Sequence, residues 1–451
     1  MNQDNRQMMS RLMVIALPIM LQNLISSSLS FVDTLMIGQL GQDQLAAVGI
    51  ANQVYFLISL FFFGIASGTS IFLSQYYGSG EYGKMKRTMA FGEIVCISGA
   101  LLMAIFSYIC PELILSFFTK DPAVLSPGIT YLRIVAPSYV FAAITAVLSI
   151  GFRAESKAKT PMFITLFSLT QNAIGNYILI FGIGPFPALG VAGGAISTTA
   201  ARIVEALLLI FLTYRKGGEC FAFRNREDFT WNKEFLSSFS KTSLPVLFNE
   251  VFWAVGMTLY KIAFSLLGTE ALATFNIVDS IDNFFFIAML GIGNGTTILL
   301  GNVLGAGEKE KAERWARKLM ILSFLTGLAM DLLEFALAPF FAAWFNVSES
   351  VRNSAIMSLR AKGFSQPFRA LTMVSVVGIL RSGGDTKYAA IAEMSGVYLV
   401  GVPVAFLGVK VFALPLYLIY LALSLEEIAK FIFSFIRIRS KKWAHVLTDK
   451  A

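Results

Sequence analysis

The residues that could do chemistry in this chain are acids, amides and a lysine stranded in long apolar runs. Asp33 lies in the outer half of the first run; Glu250 lies about two turns into the seventh, with Lys261 eleven residues later. Eleven residues is close to three helical turns, so Glu250 and Lys261 share a helix face but stand about 16 Å apart along the axis and cannot pair directly. Asp279 and Asp282 sit one turn apart in the eighth run, Asp331 and Glu334 do the same in the ninth, and Glu393 is alone in the eleventh. An ionisable group in a membrane costs about 2.5–3.5 kcal/mol on insertion scales, so each needs a reason to be there. One reason is coupling: a carboxyl group in a dry cavity can load and release a proton, or join neutral oxygens around Na+. The other is an internal pair with Arg202, Arg360 or Arg369.

Asn172 and Asn176 stand at i, i+4 in the fifth run, so their amides share one face. With Asp33, Ser149 and Thr198 they can form an oxygen-lined site for a coupling ion. They can equally serve as hydrogen-bonding glue between helices. Each asparagine also brings an NH2 that cannot ligate a cation.

Other chemistries find little support. The one histidine, His445, is near the end of the chain, which argues against histidine-based acid–base work and most zinc sites. Cys96, Cys110 and Cys220 have no metal or redox spacing and read as structural. Glycines near 78–80 and 305–307 lack the Lys-Ser/Thr ending of a phosphate loop, so ATP drive is not expected. No cofactor, catalytic residue or resident metal is expected beyond H+ or Na+, the latter at Asp33. No nucleic-acid partner is expected either: the net charge of +8 suits cytoplasmic loops.

The elements that must position these groups follow from composition. Of 451 residues 56% are hydrophobic and 14% charged, and the mean hydropathy is +0.68. An ordinary soluble domain is about 25% charged; this chain has lipid for a solvent. Its apolar runs divide into twelve expected membrane-spanning helices, from residues 12–37 to 415–436. The first is expected to be a retained helix and not a signal peptide. Positive charge gathers in alternate connections (Lys84, Lys86 and Arg87; Arg153, Lys157 and Lys159; Lys309 to Lys318; Arg381 and Lys387), while the others carry only Lys120, Arg352 and Lys410. That asymmetry predicts cytoplasmic termini.

The chain is also a duplication. A shift of 227 residues lays Leu17-Pro18 on Leu244-Pro245, Gly68-Thr69 on Gly295-Thr296, Gly80-Glu81 on Gly307-Glu308 and Arg87 on Arg314 without a gap. After one inserted residue Arg153 meets Arg381 and Lys159 meets Lys387. Each half has an even number of spans, so the halves run in the same sense, and parallel repeats are related by an axis along the membrane normal. The expected domains are an N-terminal six-helix lobe (1–214), a cytoplasmic linker (215–241) with Trp231 and Phe235 at the membrane interface, a C-terminal six-helix lobe (242–436) and a cytoplasmic tail (437–451). Pro18 and Pro245 each remove a backbone hydrogen bond near the start of a lobe and are hinge candidates. Gly64, Gly68, Gly291, Gly293 and Gly295 suit close helix packing or a hinge.

Several segments resemble the multidrug and toxic compound extrusion (MATE) family. They are Val32-Asp33-Thr34 followed by Gly38; Gly78-Ser79-Gly80-Glu81; Arg153-Ala154 through Lys159-Thr160-Pro161; Asn172 to Gly182; Gly190 to Thr198; and Leu380 to Lys387. Asn249-Glu250 with Trp253 resembles a prokaryotic, NorM/DinF-like branch. The resemblance implies an all-α integral membrane protein with two six-helix lobes in a V. It implies efflux of amphipathic, often cationic compounds against inward Na+ or H+ flow, in the plasma membrane, as a monomer among lipids. It carries the first-helix aspartate onto Asp33, the fifth-helix asparagine onto Asn172 and the sixth-helix threonine onto Thr198. This sequence departs from the family pattern at Asn176, where many relatives have aspartate, and at Ser149, where many have asparagine. Glu250 lies nearly a turn before the seventh-helix glutamate of several branches, which stands at Trp253 here. Glu250, Lys261, Asp279 and Asp282 are the candidates for a second-lobe coupling or substrate site. The alternative reading is a lipid-linked saccharide or lipid flippase on a related two-lobed scaffold.

Overall fold

The computed structural model describes residues 3–215 and 219–447. Positions 216–218 of the expected linker, 448–451 of the expected tail, and residues 1 and 2 lie outside the described residues. The described chain is all-helical. The first half forms α1 (Gln3–Gly38), α2 (Gln42–Ser79), α3 (Tyr82–Ile109), α4 (Pro111–Ser116), α5 (Pro122–Val135), α6 (Ser138–Ala154), α7 (Lys159–Phe181) and α8 (Val191–Tyr214). The second forms α9 (Lys233–Ser265), α10 (Thr269–Gly305), α11 (Lys309–Ala342), α12 (Glu349–Gly363), α13 (Gln366–Thr372), α14 (Thr386–Ser395), α15 (Val402–Lys410) and α16 (Leu416–Arg439).

Nine helical segments among the described residues are long and apolar enough to cross a membrane. A tenth is the pair α5 and α6, bent by 52°. The break falls at Ala136-Pro137, where proline lacks an N–H and disfavours a helical residue before it. The remaining two expected spans are the apolar segment Gln366–Leu380 and α16. Gln366–Leu380 ends in π-helical turns from Met373 onward. α16 carries Glu426, Glu427 and Lys430 in its middle, so composition alone does not mark it as a span; Lys430 pairs with both glutamates. Large apolar side chains such as Leu102, Leu399 and Phe117 stand exposed on the isolated chain, as a lipid-facing surface requires.

Two compact units emerge from packing. One holds Leu21–Tyr77 and Glu81–Leu236; the other holds Met1–Met20, Gly78–Gly80 and Ser237–Ala451. Residues 3–20 thus pack with the second-repeat unit. The reason is the small-residue face of α10: Met20 lies against Gly291 and Ala16 against Gly295, where a Cβ would meet them at 2.2 and 2.8 Å. Met8, Leu12 and Ala16 complete a core with Leu300, Trp315 and Trp443. The second-repeat glycines therefore act in close packing.

Pro18 and Pro245 lie inside α1 and α9, which continue past them as single helices. The linker is anchored to the first-repeat unit. Phe221 is fully buried against Phe152 and Gly151, Trp231 Nε1 donates to the Arg87 carbonyl at 2.9 Å, and Phe235 packs edge-on to Phe91. The tail is also held: Trp443 is buried, and Arg437 pairs with Asp385 at 2.6 Å.

Candidate functional site

Within the first-repeat unit, α1 carries Asp33 to the facing side chains of α7. Asn176 Nδ2 donates to Asp33 Oδ1 at 2.7 Å. The amide of Asn172, oriented to suit its neighbours, donates from nitrogen to Asp33 Oδ2 at 3.0 Å, while its oxygen accepts from the Thr198 N–H at 3.1 Å. Ser197 Oγ donates to the Asn172 main-chain carbonyl at 2.9 Å and so braces α7 against α8. Close approach of these helices is set by Gly193, whose Cβ would lie 2.4 Å from the Leu179 carbonyl oxygen.

The i, i+4 spacing thus puts both amides beside one carboxylate. Asn172 and Asn176 are buried and Asp33 is half-buried. Asp33 forms no ion pair among the described residues. Arg202, the cation that could have neutralised it, is committed elsewhere: it lies 3.8 Å over the Tyr55 ring and donates to Ser138 at 2.9 Å. Thr198 joins the cluster through its backbone. Ser149 is buried in α6, and no described hydrogen bond ties it to Asp33.

The second-repeat candidates are dispersed. Glu250 forms an ion pair with Arg381 at 2.9 Å. Lys261 is exposed, away from that pair, and Asp279 is exposed as well. Asp282 turns inward to Arg369 at 2.6 Å and Lys362 at 3.0 Å. The four do not form one site. At the register position of Asp33 the second repeat has Tyr260, whose hydroxyl donates to Glu426 Oε2 at 2.5 Å. Lys430 holds the other oxygen of Glu426 at 2.5 Å. Arg360 lies over Phe335.

A polar relay in each unit escaped the sequence reading. In the first-repeat unit Arg153 donates to Gln22 at 2.8 Å, Gln22 to Thr165 at 2.8 Å, and Thr165 to Glu205 at 2.6 Å. In the second, Arg381 holds Glu250 at 2.9 Å and Asn249 donates to Glu393 at 2.7 Å. The signal was present in the repeat register: the 227 shift lays Gln22 on Asn249, and the shift of 228 lays Thr165 on Glu393 as well as Arg153 on Arg381.

Comparison with known proteins agrees with this architecture. The MatE family model matches residues 18–178 and 245–407, one match in each repeat. The chain is 25% identical over 413 residues to the uncharacterized transporter YisQ of Bacillus subtilis, covering 91% of this chain and 90% of that one. It is 24% identical over 436 residues to the probable multidrug resistance protein NorM of Thermotoga maritima, covering 96% and 92%. In structure it is similar to a MOP superfamily transporter from Pyrococcus furiosus, with a TM-score of 0.87, 20% identity and 96% of both chains covered. Family signal in both repeats, on a fold shared along nearly the whole chain, leads to one conclusion: the chain belongs to the MatE family of multi-pass membrane transporters.

Proposed function

We propose that this protein is a multidrug efflux transporter of a prokaryotic plasma membrane, with cytoplasmic termini, exporting amphipathic, often cationic organic compounds by alternating access. Entry of a coupling ion through Asp33 drives the cycle, and the ion is H+ in preference to Na+. The observation that carries this reading is the Asp33 carboxylate, which accepts from Asn176 Nδ2 and is paired with no cation among the described residues. An ion shifts a conformational equilibrium only through unequal affinity for the two states. Protonating Asp33 turns one acceptor oxygen into a donor, so one asparagine contact must break or turn over.

The amide geometry supports the proton. Asn176 turns its nitrogen to the carboxylate, and an amide nitrogen cannot ligate a cation. A sodium cage needs the Asn176 amide reversed. A proton needs only Asn176 to turn its oxygen toward Asp33, and that oxygen is buried without a partner. The multidrug character rests on the relatives named for it, including the Thermotoga NorM.

The test is substrate uptake into proteoliposomes under pH and sodium gradients imposed separately. The pH gradient is expected to drive transport and the sodium gradient to add nothing. Asp33→Asn should lower driven transport at least tenfold while leaving substrate binding measurable. Wild-type driven uptake by Asp33→Asn would remove this carboxyl from the mechanism.

A further inference from the structure

A second acid stands without a cation, in the second-repeat unit. Glu334 of α11 is completely buried, and its Oε2 accepts from Gln366 Nε2 at 2.7 Å. The same amide nitrogen reaches Asp282 Oδ1 of α10 at 3.1 Å, so one NH2 is shared between two carboxyl groups. Both cations of the cluster, Lys362 of α12 and Arg369 of α13, pair with Asp282 and neither pairs with Glu334. Two oxygens are left over: Glu334 Oε1 and Gln366 Oε1 are both buried with no partner. A bare carboxylate is very costly at zero exposure, whereas a neutral acid needs one acceptor for its O–H, and an idle amide oxygen is present. From α16, Tyr420 faces the cluster across the Lys362 ammonium, 5.4 Å from its ring, and Glu427 lies two turns further along the helix; neither is a cation.

Gly363 of α12 lets two acids of α11 come close to that helix. A Cβ on Gly363 would lie 2.8 Å from Asp331 Oδ1 and 3.8 Å from Glu334 Oε2, so both carboxyl groups close on the same point of α12. Asp331 is half-buried, one turn from Glu334 on α11.

We propose that Glu334 is a proton-carrying carboxyl group that exchanges with water by way of Asp331, giving the second repeat an ion-loading site of its own. On release, the Glu334 O–H bond breaks and its electron pair stays on the carboxylate. The proton passes to the Asp331 carboxylate and from there to water; loading reverses these steps. The charge left on Glu334 draws Lys362 or Arg369 away from Asp282, and this rearrangement ties the proton to the packing of α10, α11, α12 and α13. Its contribution to transport rests on the proton-driven reading above; its protonation does not.

The experiment is infrared difference spectroscopy of the purified full chain near neutral pH, wild type against Glu334→Gln, alongside proton-to-substrate ratios from reversal potentials in proteoliposomes. The wild type should show a protonated-carboxyl band that Glu334→Gln removes, and the ratio should fall in the variant. Asp331→Asn should keep the band and slow its hydrogen–deuterium exchange at least tenfold, a readout that remains if Glu334→Gln does not fold. Identical spectra for wild type and Glu334→Gln would overturn the proposal whatever ion drives transport. Unchanged exchange in Asp331→Asn would overturn the relay, and an unchanged ratio would overturn the coupling. Transport indifferent to the pH gradient would instead defeat the reading of Asp33 and leave the infrared test standing.

Discussion

Acids drawn in among the helices have their charge answered in ways that differ in kind. Asp33, Glu334 and Glu393 are held by amides, whereas Glu250, Asp282 and Glu426 are held by cations. An amide-held carboxyl can change its protonation without stranding a partner ion. A cation-held one cannot, because breaking a buried pair by removing one member costs about 3–5 kcal/mol. Arg381→Met should therefore lower the melting temperature sharply, and adding Glu250→Leu should recover most of the loss; thermal melts in detergent check this. Outside the spans, Lys157 joins Glu155 at 2.8 Å and also binds Glu219, both acids being buried. Burial pushes Glu155 above the usual carboxylate range, and Lys157 offsets part of that push. With the folded value raised, the Glu155 contribution to stability is full at low pH and is lost as pH rises through that folded value. Lys157→Met removes the offset, so its deficit should be small at about pH 5 and larger at about pH 8. The deficit should be on the order of 1 kcal/mol, because Lys157 is half exposed. Melts at the two pH values decide it.

At the scale of elements, small residues set how closely helices approach and therefore whether side chains can meet. α7 and α8 touch at Gly193, and the same contact lets Ser197 and Thr198 brace Asn172. Gly193→Ala must push the Leu179 backbone away. Overpacking of this kind typically costs 1–3 kcal/mol. It should lower thermal stability and weaken driven transport together, because Asn172 moves relative to Asp33; parallel melting and uptake assays test the link. Helix positions were legible in the sequence from hydropathy and from charged connections. α16 was placed in the sequence by the apolar stretches that flank its charged middle, yet its Glu426 and Lys430, four residues apart, were overlooked as a buried pair. The bend between α5 and α6 was not anticipated, although Pro137 was in plain view.

For the whole molecule, duplication is the organising fact. The repeat register predicted matching helices, and the structure adds matching polar relays: an arginine reaching the first helix of each repeat, and an amide there reaching the fifth. The register also exposes asymmetry, since Asp33 is answered by Tyr260. The charge pattern predicts an orientation in the membrane. Single cysteines placed in a cysteine-free background at Lys84 and Lys387 should react with impermeant reagents only from the cytoplasm, and those at Lys120 and Lys410 only from outside. The reverse pattern would invert the protein.

Sequence alone determined that the chain lives in lipid, that it is a doubled bundle of helices, and that Asp33, Asn172 and Asn176 could converge. These depend on hydropathy, on charge in the loops and on helical spacing, all local or periodic quantities. Only the tertiary structure decided which acids have cations and which have amides. That choice depends on side chains more than a hundred residues apart, such as Asp33 with Asn176 and Glu250 with Arg381. No one-dimensional pattern records the distance between them, and in a low-dielectric interior a few ångströms separate a locked ion pair from a carboxyl group free to exchange its proton.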